Sequence, residues 1–328
     1  MKPPASRFQK VITYSKSDYF MQLSIFEFSD SFAKLVYVNG LKQIIHEIFD
    51  KLGGNKQVSI LLNQKSSKIK EWKMGRKPIK LSDLNKLISC LNPIHQENIK
   101  HKIDAAKIYI SCRYSNKKIL FPKRISLNLA YVVGLLLGDG SLTGDNSNAS
   151  GNWTTSLFCE SKKHGLMYSK IMKKIFDVNV HIYRPKENLF VFYCSSKALH
   201  LFFQDLFEIK NGFKCDKIIV PKRIFNSSAY IRANFLSGLF DTDGTFTCKK
   251  VKYATTSKTM SEQVKQMLSN LNIKSYINMW QKKGGNYKPL YTVSIYSKCG
   301  LKVFSEKINF RHPNKKLLLA NFIDSSVV

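Results

Sequence analysis

Asp139 and Asp243 each stand directly before a glycine at the end of an apolar run. The runs are Val132-Val133-Gly134-Leu135-Leu136-Leu137-Gly138-Asp139-Gly140 and Leu236-Ser237-Gly238-Leu239-Phe240-Asp241-Thr242-Asp243-Gly244. Each reads as a helix up to the aspartate, with the next glycine as its stop. Gly134 and Gly138 share a helical face, which lets a second backbone approach closely. Two such helices side by side bring both carboxylates to one end of the pair. At about 5 Å and an effective dielectric near 20, bare carboxylates repel by roughly 3 kcal/mol. A divalent cation or a raised pKa relieves that repulsion.

Elements of ordinary composition must position these acids, but the charge around them is not ordinary. Lys plus Arg number 53 against 22 Asp plus Glu, a net +31. Residues 1–120 hold 22 basic and 9 acidic side chains, and the remainder 31 and 13. A surplus in both parts points to a long polyanion touched along much of the molecule. The seven cysteines are scattered without a Cys-x-x-Cys pair, which excludes a zinc ribbon and argues for a reducing compartment. The seven histidines are equally dispersed, against a His-metal nuclease. No apolar run reaches membrane-span length and no signal-peptide core opens the chain, so an intracellular protein without a membrane partner is expected.

Residues 1–38 carry no assignable function; 11–14 and 32–38 read as short strands or helix ends. From Leu41 the apolar spacing is helical through Phe49, and Gly53-Gly54 ends the segment. Asn55 is placed to cap a second helix, and Ser66-Ser67 a third over 68–74 with Ile69 and Trp72 inward. Lys68, Lys70 and Lys73 then line the outside, followed by the basic turn Gly75-Arg76-Lys77-Pro78 and a fourth helix over 81–91. A short helix, tight turn and Ser/Lys-started helix is the geometry that enters a major groove. Residues 53–91 resemble the Xre-type, phage-repressor-like helix-turn-helix family, with Ser66, Lys68, Lys70, Lys73, Arg76 and Lys77 as DNA contacts. The expected domain spans 39–113, with a linker over 114–124.

The rest is an internal repeat. Gly138-Asp139-Gly140-Ser141-Leu142 matches Thr242-Asp243-Gly244-Thr245-Phe246, and Glu160-Ser161-Lys162 matches Thr256-Ser257-Lys258. Amphipathic helices follow over about 164–176 and 260–271. Strand pairs come next, 178–184 with 189–193 and 273–281 with 289–296, alternating as a sheet with one wet face demands. A further helix opens after Ser196-Lys197 and after Ser297-Lys298. Each half closes on a coda, Asn211-Gly212-Phe213-Lys214 and Asn309-Phe310-Arg311-His312.

Both aspartate stretches resemble the LAGLIDADG motif of homing endonucleases, and the resemblance extends over about 122–323. Residues 218–223 leading into 235–241 look like the archaeal and intein-type branch, which implies the cytoplasm or nucleoid of a prokaryote. The implied fold is α+β: a pseudo-twofold pair of αββαββα halves, 125–225 and 226–323, forming a DNA-binding saddle behind the all-α helix-turn-helix domain. The implied metal ligands are Asp139 and Asp243, holding Mg2+ or Mn2+ that polarises the scissile phosphate and activates water. Asp241 competes within the second motif, but its counterpart is Leu137, so a symmetric chemistry favours 139 and 243.

Lys162 and Lys258 are the expected catalytic lysines. Lys197, Lys298, Arg184 and Lys282 are expected to contact DNA. Glu160 and Thr256 occupy the water-orienting position, and Asn179, His181, Tyr183, Asn278 and Trp280 are the outward candidates for site recognition. Met at the start, Ser-Ser-Val-Val at the end and no terminal His-Asn pair lead us to expect a free-standing monomer rather than an intein. The expected function is a metal-dependent double-strand cut in a long, asymmetric DNA site. The alternatives are a WhiA-like transcriptional regulator and an intron RNA maturase, the latter with host intron RNA as partner.

Overall fold

The computed structural model describes residues 20–112, 117–144, 153–212, 217–282 and 287–325. The expected elements over 11–14 lie outside these residues, as do the end of the first coda and the tip of the last hairpin.

The N-terminal unit runs β1 (Met21–Gln22), α1 (Asp30–Ala33), β2 (Val36–Asn39), α2 (Lys42–Lys51), α3 (Gly54–Leu62), α4 (Ser66–Lys73), β3 (Ile79–Lys80), α5 (Leu81–Ser89), α6 (Pro93–Ala105), β4 (Tyr109–Cys112), β5 (Ile119–Leu120) and β6 (Arg124–Ile125). Helices α2 to α5 bury Ile45, Ile48, Phe49, Val58, Ile69, Trp72, Leu84 and Leu87 against one another. The unit is not all-α. β2 sits in an antiparallel sheet ordered β3-β2-β4-β5, and β1 pairs with β6. Two-residue strands carry no alternation for a sequence pattern to reveal.

Two expected caps also differ. Gly53, in the left-handed region at φ 84°, precedes α3 in place of Asn55, and Lys65 precedes α4 with no side-chain cap from Ser66 or Ser67.

Residues 117–124, expected as linker, are structural. β5 extends the sheet, and Phe121 is buried in an aromatic cluster with Phe28 and Phe202. Phe28 also stacks on Phe32 at 4.1 Å. The Ser29 amide donates to Asp205 at 3.0 Å, and Glu27 pairs with Arg223. The N-terminal unit is thus packed onto the following half through a shared core.

That half comprises α7 (Leu127–Leu137), β7 (Gly140–Thr143), β8 (Thr154–Cys159), α8 (Lys162–Phe176), β9 (His181–Lys186), β10 (Leu189–Ser195) and α9 (Lys197–Phe207). A short α10 (Lys222–Phe225) leads to α11 (Ala229–Asp243), β11 (Gly244–Thr247), β12 (Lys250–Thr255), α12 (Lys258–Asn270), β13 (Tyr276–Trp280), β14 (Leu290–Ile295), α13 (Lys298–Lys307) and α14 (Pro313–Asp324). The sheets are antiparallel and share one order, β7-β8-β10-β9 and β11-β12-β14-β13. Helices α8 and α9 cover one face of the first, and α12 one face of the second.

Helices α7 and α11 cross at their glycines. A methyl on Gly134 would collide with the Phe235 carbonyl and lie 2.8 Å from the Leu239 amide nitrogen. A methyl on Gly238 would collide with the Tyr131 carbonyl and lie 2.9 Å from the Leu135 amide nitrogen. Tyr131, Gly134 and Leu135 stand 104 positions before Phe235, Gly238 and Leu239, so the contact is reciprocal about a pseudo-twofold axis. Helix α11 runs to Asp243 and stops at Gly244 as expected, whereas α7 stops at Leu137 with Gly138 as its C-cap, short of Asp139. Gly244 is extended at φ −91°, not a left-handed stop. Any Cβ on Gly140 or Gly244 would strike the backbone of Leu136 or Phe240, because the chain folds straight back over the last helical turn into a strand.

Candidate active site

Both aspartates reach the expected end of the seam. A methyl on Gly138 would lie 3.3 Å from Oδ2 of Asp243, which puts that carboxylate against the end of α7. Asp139 borders a cleft with Glu160, His164, Asp241, Thr242, His312 and Lys315.

Lys315, which the motif reading missed, is the lysine of this cleft. It enters from the first turn of α14, and its ammonium donates to the carbonyls of Asp241 at 2.6 Å, Thr242 at 3.0 Å and Gly244 at 2.6 Å. These are the orphan acceptors at the end of α11, where the helix dipole favours a cation. Burial lowers the pKa of Lys315, while Asp241, Asp139, Asp243 and Glu160 draw it back up. One ammonium therefore sits in the field of four carboxylates. Asp139 also acts on Cys159, whose thiol is pushed up to about 11, chiefly by burial.

Asp241 is the other residue whose role the sequence concealed. Its side chain is fully buried. It accepts from the Tyr131 hydroxyl at 2.6 Å and from the amides of Arg311 and His312, each at 3.0 Å. The Tyr131 oxygen also meets His164 Nε2 at 2.8 Å. Because the hydroxyl proton goes to Asp241, Nε2 is the protonated ring nitrogen. Burial and the Asp241 carboxylate push the Tyr131 phenol far above its usual range. The Arg311 guanidinium lies 4.1 Å over the Tyr131 ring and donates to Asn128 on α7 and Asn234 on α11. The second coda is thereby clamped across both seam helices. The buried acid anchors the seam, whereas Asp139 is exposed and Asp243 half-buried at its end.

Other sequence candidates are more dispersed. Lys162 and Lys258 are the first residues of α8 and α12, capped by Ser161 and Ser257, and both are exposed. Neither borders the cleft, and Lys258 faces Glu262 at 3.9 Å. Lys197 lies 4.3 Å over the Trp153 ring in a recess with Phe32 and Asp205, at the junction with the N-terminal unit. Lys298 is exposed at the start of α13. Arg184 donates to the Glu187 carbonyl across its hairpin, and Lys282 lies 4.5 Å over Tyr287. On α4, Ser66 and Lys70 are exposed. Lys68 lies over Trp72 and donates to Gln64 at 3.0 Å, and Lys73 pairs with Asp50 at 3.2 Å. Arg76 faces Glu71 at 3.6 Å, and Lys77 is exposed.

Cross-strand register puts His181 and Tyr183 on the open face of the first sheet and Asn278 and Trp280 on that of the second. Asn179 is exposed but precedes β9.

Among the described residues no group of three His, Cys, Asp or Glu side chains converges to hold a metal. The donors at the seam are hard carboxylates. That set suits Mg2+ or Mn2+, which keep several waters and complete their shell on a phosphate, and it does not suit zinc. No helix of the described residues is long and apolar enough to cross a membrane.

Residues 231–309 match the family model described as a LAGLIDADG-like domain. The chain is 24% identical over 296 residues to a glutamine–fructose-6-phosphate aminotransferase (isomerizing) of Methanocaldococcus jannaschii, covering 88% of this chain and 25% of that protein. It thus spans a quarter of that relative's length. Among solved structures it resembles the homing endonuclease I-DmoI in complex with DNA and Ca, with 18% identity, 60% of this chain and 97% of that one covered, and a TM-score of 0.48. Full-length DUF199/WhiA from Thermatoga maritima aligns at 15% identity over 61% of this chain and 59% of that one, with a TM-score of 0.40. The family-model match thus falls within the second half and takes in most of its seam helix, α11.

Proposed function

We propose that this protein is a site-specific DNA endonuclease that makes a divalent-metal-dependent double-strand break in a long, asymmetric site. The observation that carries the reading is the delivery of Asp139 and Asp243 to one end of a close helix crossing, beside two open sheet faces on a chain of net charge +31. Asp139 and Asp243 would hold Mg2+ or Mn2+, which when bound supplies Lewis-acid polarisation of a phosphate. Lys315 fixes the end of α11 that carries Asp243 and sets a positive charge among the acids. Glu160, exposed at the cleft, is placed to orient water on the Asp139 side. The sheet faces would lie along the groove, and α4 of the N-terminal unit would add contacts as a helix-turn-helix.

Purified protein with Mg2+, offered DNA spanning its uninterrupted insertion locus, should cut both strands, and Asp139→Asn or Asp243→Asn should abolish cutting. Tight, salt-sensitive binding without cuts would replace this reading with that of a WhiA-like regulator. Intron splicing assistance with DNA left intact would replace it with a maturase.

A further inference from the structure

The two open sheet faces occupy equivalent places but carry different chemistry. Register sorts their side chains, since alternate residues of a strand face opposite ways. In the first half one row across the open face reads Ser141, Ser156, Tyr193, His181. The equivalent row of the second half reads Thr245, Lys252, Ser294, Tyr276. On the inner strands alone, β8 presents Thr154, Ser156 and Phe158, where β12 presents Lys250, Lys252 and Ala254. Two hydroxyls and a phenyl thus stand where the other half has two ammonium groups and a methyl.

Lysines on a sheet are commonly edge devices against aggregation. β12 is not an edge: it pairs with β11 on one side and β14 on the other. Lys250 is exposed, its ammonium 5.2 Å from the Tyr296 ring. Phe158 is 37% exposed in the centre of its sheet, at a position where an apolar ring gains nothing from water. Major-groove chemistry distinguishes the two sets. Lysine donates to guanine O6 and N7, whereas an apolar ring packs on the thymine methyl and a hydroxyl serves either.

We infer that the DNA site is chemically polar, with guanines read by Lys250 and Lys252 under the second half and thymines read around Phe158 under the first. The inference rests on the endonuclease reading and deepens it. The test uses the full chain with Asp139→Asn and Asp243→Asn, to bind without cutting, against a randomised duplex library. The expected consensus holds guanines in one arm and thymines in the other. Lys250→Thr with Lys252→Ser, which copies the first half's residues, should cost the guanine arm about tenfold in discrimination and leave the other arm unchanged. Replacing thymine by deoxyuridine should weaken binding in the opposite arm only, and Phe158→Ala should remove that sensitivity. A uniform fall in affinity for every sequence would assign the lysines to phosphates and overturn the inference. So would guanines distributed equally between the arms. A library with no enriched sequence would overturn the endonuclease reading together with it.

Discussion

The phenol of Tyr131 on α7 donates to the buried carboxylate of Asp241 on α11 at 2.6 Å, while their pseudo-twofold counterparts, Phe235 and Leu137, are apolar. His164 belongs to the same contrast, since its counterpart after the Ser257 cap is the buried Met260. One side of the seam is a satisfied polar network and the other a packed hydrocarbon. Asp241→Leu should strand three buried donors and cost about 3–5 kcal/mol, while Tyr131→Phe alone should cost about 1–3 kcal/mol. Urea unfolding of both single variants and the double should show Tyr131→Phe costing nothing once Asp241 is gone.

The crossing at Gly134 and Gly238 admits no side chain. Gly134→Ala or Gly238→Ala should lose at least about 3 kcal/mol, because the obstruction is backbone and cannot swing aside. Gly54, left-handed at φ 87° with open space around it, provides the control. Alanine there should cost about 1 kcal/mol in the same denaturation series.

Lys315 binds the carbonyls at the end of α11, and its charge faces the acids. Lys315→Met should slow single-turnover cleavage by more than about a hundredfold, the scale of losing one preorganised electrostatic group. Affinity for the duplex, read separately by titration without divalent metal, should change by less than about threefold. A parallel fall in affinity would mark Lys315 as a plain phosphate contact.

Burial lowers the pKa of His200 to about 4, with Lys197 nearby adding to the shift. The unfolded chain titrates near 6.5, so it binds the extra proton first as pH falls. The neutral ring therefore contributes stability that is fully present above pH 6.5 and is lost as pH drops towards 4. The full loss is about 3 kcal/mol. Thermal melts between pH 7 and pH 4.5 should record most of it, and His200→Leu should flatten that part of the profile.

The N-terminal unit and the first half share the core around Phe28, Phe121 and Phe202. They should melt in a single calorimetric transition. Phe121→Ala should cost about 3–5 kcal/mol and reduce the cooperativity of that transition.

The paired aspartate stretches, the repeat and most helices were legible because each rests on local spacing. Ser161 and Ser257 announce α8 and α12 by cap chemistry, and Tyr291, Val293 and Ile295 share one face of β14 as their alternation requires. The remainder was illegible for reasons of distance. Asp241 meets its partners 70 and 110 residues away in sequence, so motif symmetry marked it as redundant when it is a buried anchor. Lys315 looked like one basic residue among 53, and only the fold brings it to the end of α11. Lys162 and Lys258 match across the repeat because each begins a helix behind a serine cap, a placement that local spacing makes visible. The N-terminal sheet was hidden because its strands are two to four residues long and scattered between helices.

The halves meet through carbonyl oxygens and amide nitrogens, atoms that every residue possesses. What the crossing itself demands of the genetic message is therefore little more than smallness at two codons. A lineage can rewrite one reading surface while the other, and the way the two are joined, stay as they were. Lysine against serine on otherwise matched strands is the kind of divergence such a joint permits, letting a duplicated half acquire its own vocabulary without relearning how to pair.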